Sequence, residues 1–153
     1  MSLLLRIILP VAVVIFALDR LSKIWVVNWL DLPNRLALDV VPPFLNLRMA
    51  WNTGINFGIG GGGPDAMRWA LIGLSIVISV ALLWWVLRRN QRTLALGAGA
   101  VIGGALGNAW DRVEYGAVAD FLNMSCCGID NPFSFNIADI AIFMGAIWIA
   151  FRA

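Results

Sequence analysis

Asp120 and Asp139 have no basic residue close to them in the sequence, and Asp139 interrupts the otherwise apolar run FNIADIAIFMGAIWIAF. Two carboxylates brought together at low dielectric cannot both ionise cheaply, so one pKa rises and the pair shares a proton. Such a pair can activate water with one member and protonate a carbonyl or leaving amine with the other. That is hydrolysis without metal, cofactor or imidazole, and the chain contains no histidine. Ser-His and Cys-His pairs and HExxH zinc sites are therefore excluded. Acid–base chemistry must come from the nine carboxylates, Lys23, Tyr115 or the two cysteines.

Further polar residues recur at helical spacing. Asp19 and Lys23 stand at i and i+4; Asn108, Asp111 and Arg112 at i, i+3 and i+4; Asn136 and Asp139 at i and i+3. Each set shares one helix face. Asp19–Lys23 and Asp111–Arg112 read equally as interfacial salt bridges, and Asn136 as a helix cap.

The elements that must position these groups are apolar. Of 153 residues, 61% are hydrophobic and 13% charged, where soluble domains average roughly 45–50% apolar. The expectation is one mainly α membrane domain, residues 1–153, with four spans near 3–29, 66–87, 94–113 and 136–152. The first stretch lacks an A-x-A-like cleavage site and reads as a retained helix. Positions 30–63, with Pro33, Pro42, Pro43 and alternation at Leu45, Leu47 and Met49, read as an extramembrane, strand-containing cradle. Gly60–Gly63 beside it offers a hinge for a flap. Residues 114–135 read as a polar segment, which leaves Asp120 in a loop. Gly99, Gly103 and Gly107 form a face for close helix packing. At about 1.5 Å per residue, Asp19 and Asp111 lie some ~20–25 Å up their helices, and Asp139 only ~5 Å inside its own. Four carboxylates thus converge on one level.

Arg88, Arg89 and Arg92 fill the short loop between the second and third spans, which reads as cytoplasmic. Both termini are then cytoplasmic, and all nine carboxylates fall in the outward half. A net charge of +2 leaves no nucleic-acid footprint. Cys126 and Cys127 are adjacent, about 3.8 Å apart at Cα, which is short for a disulfide, so free thiols are expected.

Four blocks of this sequence resemble the lipoprotein signal peptidase (signal peptidase II) family. They are DRLSK (Asp19–Lys23), NTGINFG (Asn52–Gly58), GGALGNAWDRVEYGAVADF (Gly103–Phe121) and FNIAD (Phe135–Asp139). The resemblance implies an aspartyl endopeptidase of the bacterial inner membrane. It would cut diacylglyceryl-modified prolipoproteins on the N-terminal side of the lipidated cysteine, with its site near the outer face. The implied fold has four transmembrane helices, a small extracytoplasmic β-cradle and a short extracytoplasmic helical segment. The implied catalytic pair is Asp120 and Asp139. Asn52, Gly54, Asn108, Arg112 and Asn136 match positions that line the site, and Asp19, Lys23 and Asp111 match supporting ones. No metal or cofactor is implied; the partners are prolipoproteins and membrane lipids, and the chain is expected to be monomeric. Trp51 stands where the family more often has arginine, and Ile55–Asn56 replaces a usually small pair.

Two other classes fit parts of the pattern. A proton-coupled transporter would also carry intramembrane carboxylates, but at the midplane and often on repeated halves, and no repeat is visible. A non-catalytic assembly subunit would explain the glycine face and the tryptophans, but not the convergence of Asp120 and Asp139.

Overall fold

The computed structural model describes residues 3–54 and 63–153. The Gly60–Gly62 part of the hinge, and Ile55 and Asn56, lie outside the described residues. Helix α1 (Leu5–Ile24) runs into a π-helical turn (Trp25–Trp29), then a single turn α2 (Leu32–Arg35) and two strands, β1 (Ala37–Val41) and β2 (Leu45–Asn52). Two long helices follow, α3 (Gly63–Arg89) and α4 (Arg92–Tyr115). Strand β3 (Val118–Asn123) and helix α5 (Ile137–Arg152) complete the chain.

The glycines of α4 explain its central place. It packs against α1, α3 and α5. A Cβ on Gly103 would sit 2.5 Å from the Ala12 carbonyl oxygen of α1, and one on Gly104 would sit 2.5 Å from that of Ala138 in α5. Gly99 meets α1 in the same way, and Gly97 meets Gly145 of α5. Two sides of one helix are thereby open to backbone contact, which brings α1 and α5 onto α4. Helix α4 stops at Gly116, whose φ of +81° suits glycine and whose N–H bonds the Arg112 carbonyl.

The bundle exposes many apolar side chains and buries a polar cluster at one end. Val13 and Val77 are more than 60% exposed, whereas Asp19, Lys23, Asp111 and Asn136 are fully buried. By length and composition, Asp65–Arg89 and Arg92–Tyr115 are apolar enough to cross a membrane. Helix α1 carries Asp19, Arg20 and Lys23 near its end, and α5 has only 16 residues, about 24 Å of helix.

The sheet is antiparallel in the order β1-β2-β3. This corrects the reading of 114–135 as polar segment and of Asp120 as a loop residue: Asp120 stands on β3, paired with Ala50 of β2. Strand β3 is buried on both faces, so it shows no apolar–polar alternation, and its partner lies far away in the chain. The register slips between Leu47 and Ala50, where three steps on β2 match two on β3. An extra residue of this kind inverts the side-chain alternation beyond it. Asn52, rather than Trp51, therefore shares the face of Asp120. On the other side, Val26, Leu32, Leu47 and Phe121 form a small apolar cluster that seats the sheet on the π-helical turn and α2.

Gly103→Ala should lower the thermal unfolding midpoint in detergent, by the equivalent of about 1–3 kcal/mol for overpacking a tight contact. Gly73→Ala, with nothing within 4 Å of the added methyl, should leave the midpoint unchanged or raise it.

Candidate active site

Three helices and a strand meet around a fully buried ammonium. Lys23 Nζ lies 2.8 Å from Asp19 Oδ2, 2.6 Å from Asp111 Oδ2 and 3.2 Å from Asn108 Oδ1. All of its charge is thus met by side chains from α1 and α4. Gly107 makes the space, since a Cβ there would come within 2.6 Å of Asp19 Oδ2. Asp111 also takes Arg20, which reaches on to Glu114 at 2.6 Å.

The same carboxylates reach the two elements that carry Asp120 and Asp139. Asp19 Oδ1 accepts the backbone N–H of Ala138 at 3.0 Å, in the first turn of α5. A carboxylate suits that position, because helix N-terminal amides lack partners within the helix. Asp111 Oδ2 accepts the N–H of Ala119 at 3.1 Å, the residue before Asp120. One buried cation therefore fixes one anchor for α5 and one for β3.

Asn136 joins the two aspartates. Its Nδ2 donates to Asp120 Oδ1 at 2.7 Å, its Oδ1 accepts the N–H of Asp139 at 2.9 Å, and its own N–H donates to Asp139 Oδ2 at 3.2 Å. The last two form the capping box that starts α5. The cap expected from sequence and the contact to Asp120 are thus made by one side chain. Asn108 Nδ2 donates to Asp139 Oδ1 at 2.9 Å, and Asn52 Nδ2 donates to Asp120 Oδ2 at 3.1 Å. Gly54, at φ +90°, turns its N–H back to Asn52 Oδ1 at 3.0 Å. A side chain at Gly54 would be strained and would meet Leu71.

Neither Asp120 nor Asp139 is in an ion pair among the described residues. Burial, and next the charge of Asp139, raise the Asp120 carboxyl to about 6, while hydrogen bonds from Asn52 and Asn136 pull it back. Asp120 is 4% exposed; Asp139 is partly open. Asp120 is therefore inclined to hold a proton, and Asp139 is the more exposed of the two.

The expected Asp111–Arg112 pair does not form. Consecutive helix residues point about 100° apart, and Asp111 turns to Arg20 and Lys23. Arg112 instead donates to the Asn108 carbonyl at 3.1 Å, and its Nε is buried without a hydrogen-bond partner among the described residues. Its charge acts on Asp120, Asp111 and Asp139. Sequence reasoning missed Arg20 and Glu114; the arginine inside an apolar helix was the available signal. Cys126 and Cys127 are exposed, unbridged and away from these contacts.

Residues 11–153 match the family described as Signal peptidase (SPase) II. A lipoprotein signal peptidase of Methylobacterium sp. (strain 4-46) is 37% identical over 90% of this chain and 82% of its own length. One from Rhodopseudomonas palustris (strain ATCC BAA-98 / CGA009) is 40% identical, covering 87% of this chain and 82% of that one. A bacterial membrane enzyme solved by the in meso method at 1.9 Å superposes with a TM-score of 0.74 at 28% identity, covering 93% of this chain and 88% of that one.

Lys23→Met should destabilise the protein by about 3–5 kcal/mol, because it leaves Asp19 and Asp111 buried with less compensating charge. Thermal or denaturant unfolding in detergent would measure this; a cost below about 1 kcal/mol would contradict the anchoring role.

Proposed function

This chain belongs to the signal peptidase II family, an aspartic peptidase that cleaves signal peptides from prolipoproteins, and from that premise we propose that Asp120 and Asp139 are its catalytic pair. The observation that carries the assignment is the shared Asn136, which holds both carboxylates, while neither is in an ion pair among the described residues. Asp139, the more open member, takes the proton of the attacking water. Asp120, in its protonated form, donates to the carbonyl oxygen of the scissile peptide. As the tetrahedral intermediate collapses, the leaving amine takes the proton held by Asp139 and a hydroxyl of the intermediate returns one to Asp120. Asn52 and Arg112 line the approach, and Arg112 keeps donor capacity for a substrate carbonyl. Gly54 shapes the turn that aims Asn52. Asn108 and Asn136 hold the pair, and Asp19, Lys23 and Asp111 support it from below.

The substrate is a prolipoprotein already carrying diacylglyceryl on cysteine, cut just before that residue. Four helices, α1, α3, α4 and α5, span the inner membrane of a bacterium, with both termini cytoplasmic. The sheet and α2 lie on the outer side, together forming the cradle and a short helical element. Arg20 and Lys23 do not oppose the α1 span, because carboxylates of the bundle meet both. The scissile bond of a lipid-anchored substrate then lies at the depth of the pair, and confinement to two dimensions contributes proximity. The peptidase domain is 1–153 and acts as a monomer.

Cleavage of a purified diacylglyceryl prolipoprotein in the presence of EDTA should be lost in Asp120→Asn and in Asp139→Asn, with both variants folded. Survival of cleavage in either would remove that residue from the pair. The pH profile tests Asp120 further. As pH rises through its value of about 6, the pair loses its shared proton and kcat/KM falls. Asn52→Ala removes a hydrogen bond that favours the carboxylate, so the alkaline limb should move to higher pH; a limb moved to lower pH would contradict the arrangement.

A further inference from the structure

At the end of the bundle opposite the carboxylates stand five arginines. Arg6 lies in the first turn of α1, Arg88 and Arg89 end α3, Arg92 begins α4 and Arg152 ends α5. These ends are packed together. Leu4 and Ile8 share a core cluster with Val86 and Leu94, and Trp148 Nε1 donates to the Thr93 carbonyl at 2.7 Å. All five arginines are exposed, and among the described residues none pairs with a carboxylate. Like charges gathered without counter-charge repel, so this end attracts an anion.

The arginines are also ordered. Arg88 lies over the Trp84 ring at 5.3 Å, Arg89 over Trp85 at 5.4 Å and Arg152 over Trp148 at 5.0 Å. Stacking restricts each side chain and leaves the guanidinium edge, with its forked donors, free for a planar or tetrahedral oxyanion. Trp84 and Trp148 are themselves exposed. Indole rings beside guanidinium groups suit the boundary where acyl chains meet phosphates.

We propose that Arg88, Arg89, Arg92 and Arg152 form a binding surface for anionic phospholipid headgroups. The placement in a bilayer rests on the four-span reading above. Charge complementarity sets the class of lipid: four guanidinium groups stand here, and among the described residues no carboxylate pairs with them. Phosphate oxygens of an anionic lipid would take the place of the missing carboxylates.

The test compares the wild type with Arg88→Gln/Arg89→Gln/Arg92→Gln/Arg152→Gln, none of which touches Asp120 or Asp139. Both proteins in neutral detergent are titrated with phosphatidylglycerol, phosphatidylcholine or inorganic phosphate, and binding is read by native mass spectrometry and by thermal shift. Wild type should bind phosphatidylglycerol in preference to phosphatidylcholine, and inorganic phosphate should not substitute. The quadruple variant should bind phosphatidylglycerol at least about tenfold more weakly, since one basic side chain at an anionic surface accounts for roughly a fivefold change. Equal binding by the variant, no preference between the lipids, or full replacement by inorganic phosphate would overturn the proposal. Prolipoprotein cleavage by the same preparations reports the peptidase separately, so failure of either reading is visible by itself. If the quadruple variant does not fold, the pair Arg88→Gln/Arg89→Gln serves, with a proportionately smaller loss.

Discussion

A single ammonium group sets the geometry of this bundle. Lys23 is fully buried, and an isolated cation in that position would cost several kcal/mol. Asp19, Asp111 and Asn108 remove most of that cost. Each of the three then has a second contact: Asp19 to the start of α5, Asp111 to β3, Asn108 to Asp139. The requirement to neutralise one charge is thereby converted into the position of two carboxylates on different elements. Among the described residues neither carboxylate is in an ion pair, and burial raises the proton affinity of Asp120.

Such a polar centre is compatible with a small bundle because the packing around it uses backbone rather than bulk. Glycines on two sides of α4 let α1 and α5 approach until carbonyl oxygens lie where a methyl group would be. Side-chain hydrogen bonds across those short distances are then direct. Many large apolar residues stand on the outside, where a bilayer replaces the contacts that a soluble protein would find in its core. Only α3 stands apart from this arrangement, resting chiefly on α4.

How much of this is legible in the sequence depends on how local each contact is. The Asp19–Lys23 ion pair and the Asn136–Asp139 cap follow from spacing along one helix, and both are made. The convergence of Asp19, Asp111, Asp120 and Asp139 follows from counting depth along apolar helices. Partners of Asp111 do not follow: Arg112 is adjacent in sequence, but Arg20 and Lys23 are adjacent in space. Strand β3 escapes as well, because burial on both faces erases the alternation by which strands are read. The slip between Leu47 and Ala50 that turns Asn52 toward Asp120 has no signature in composition at all. It is a property of pairing between segments some seventy residues apart in the chain.

The dependence of both anchors on α1, and of the pair on α5, has a consequence for biogenesis. The ribosome delivers Asp19 and Lys23 first, Asn108 and Asp111 after two further helices, and Asn136 and Asp139 with the last helix. Until α5 docks, Asp19 has no amide to cap and Asp120 has no asparagine linking it to a second carboxylate. A nascent chain halted between β3 and α5 holds Asp19, Lys23, Asn108, Asp111 and Asp120 but lacks Asn136 and Asp139. The link between Asp120 and Asp139 therefore forms in one step, when α5 docks.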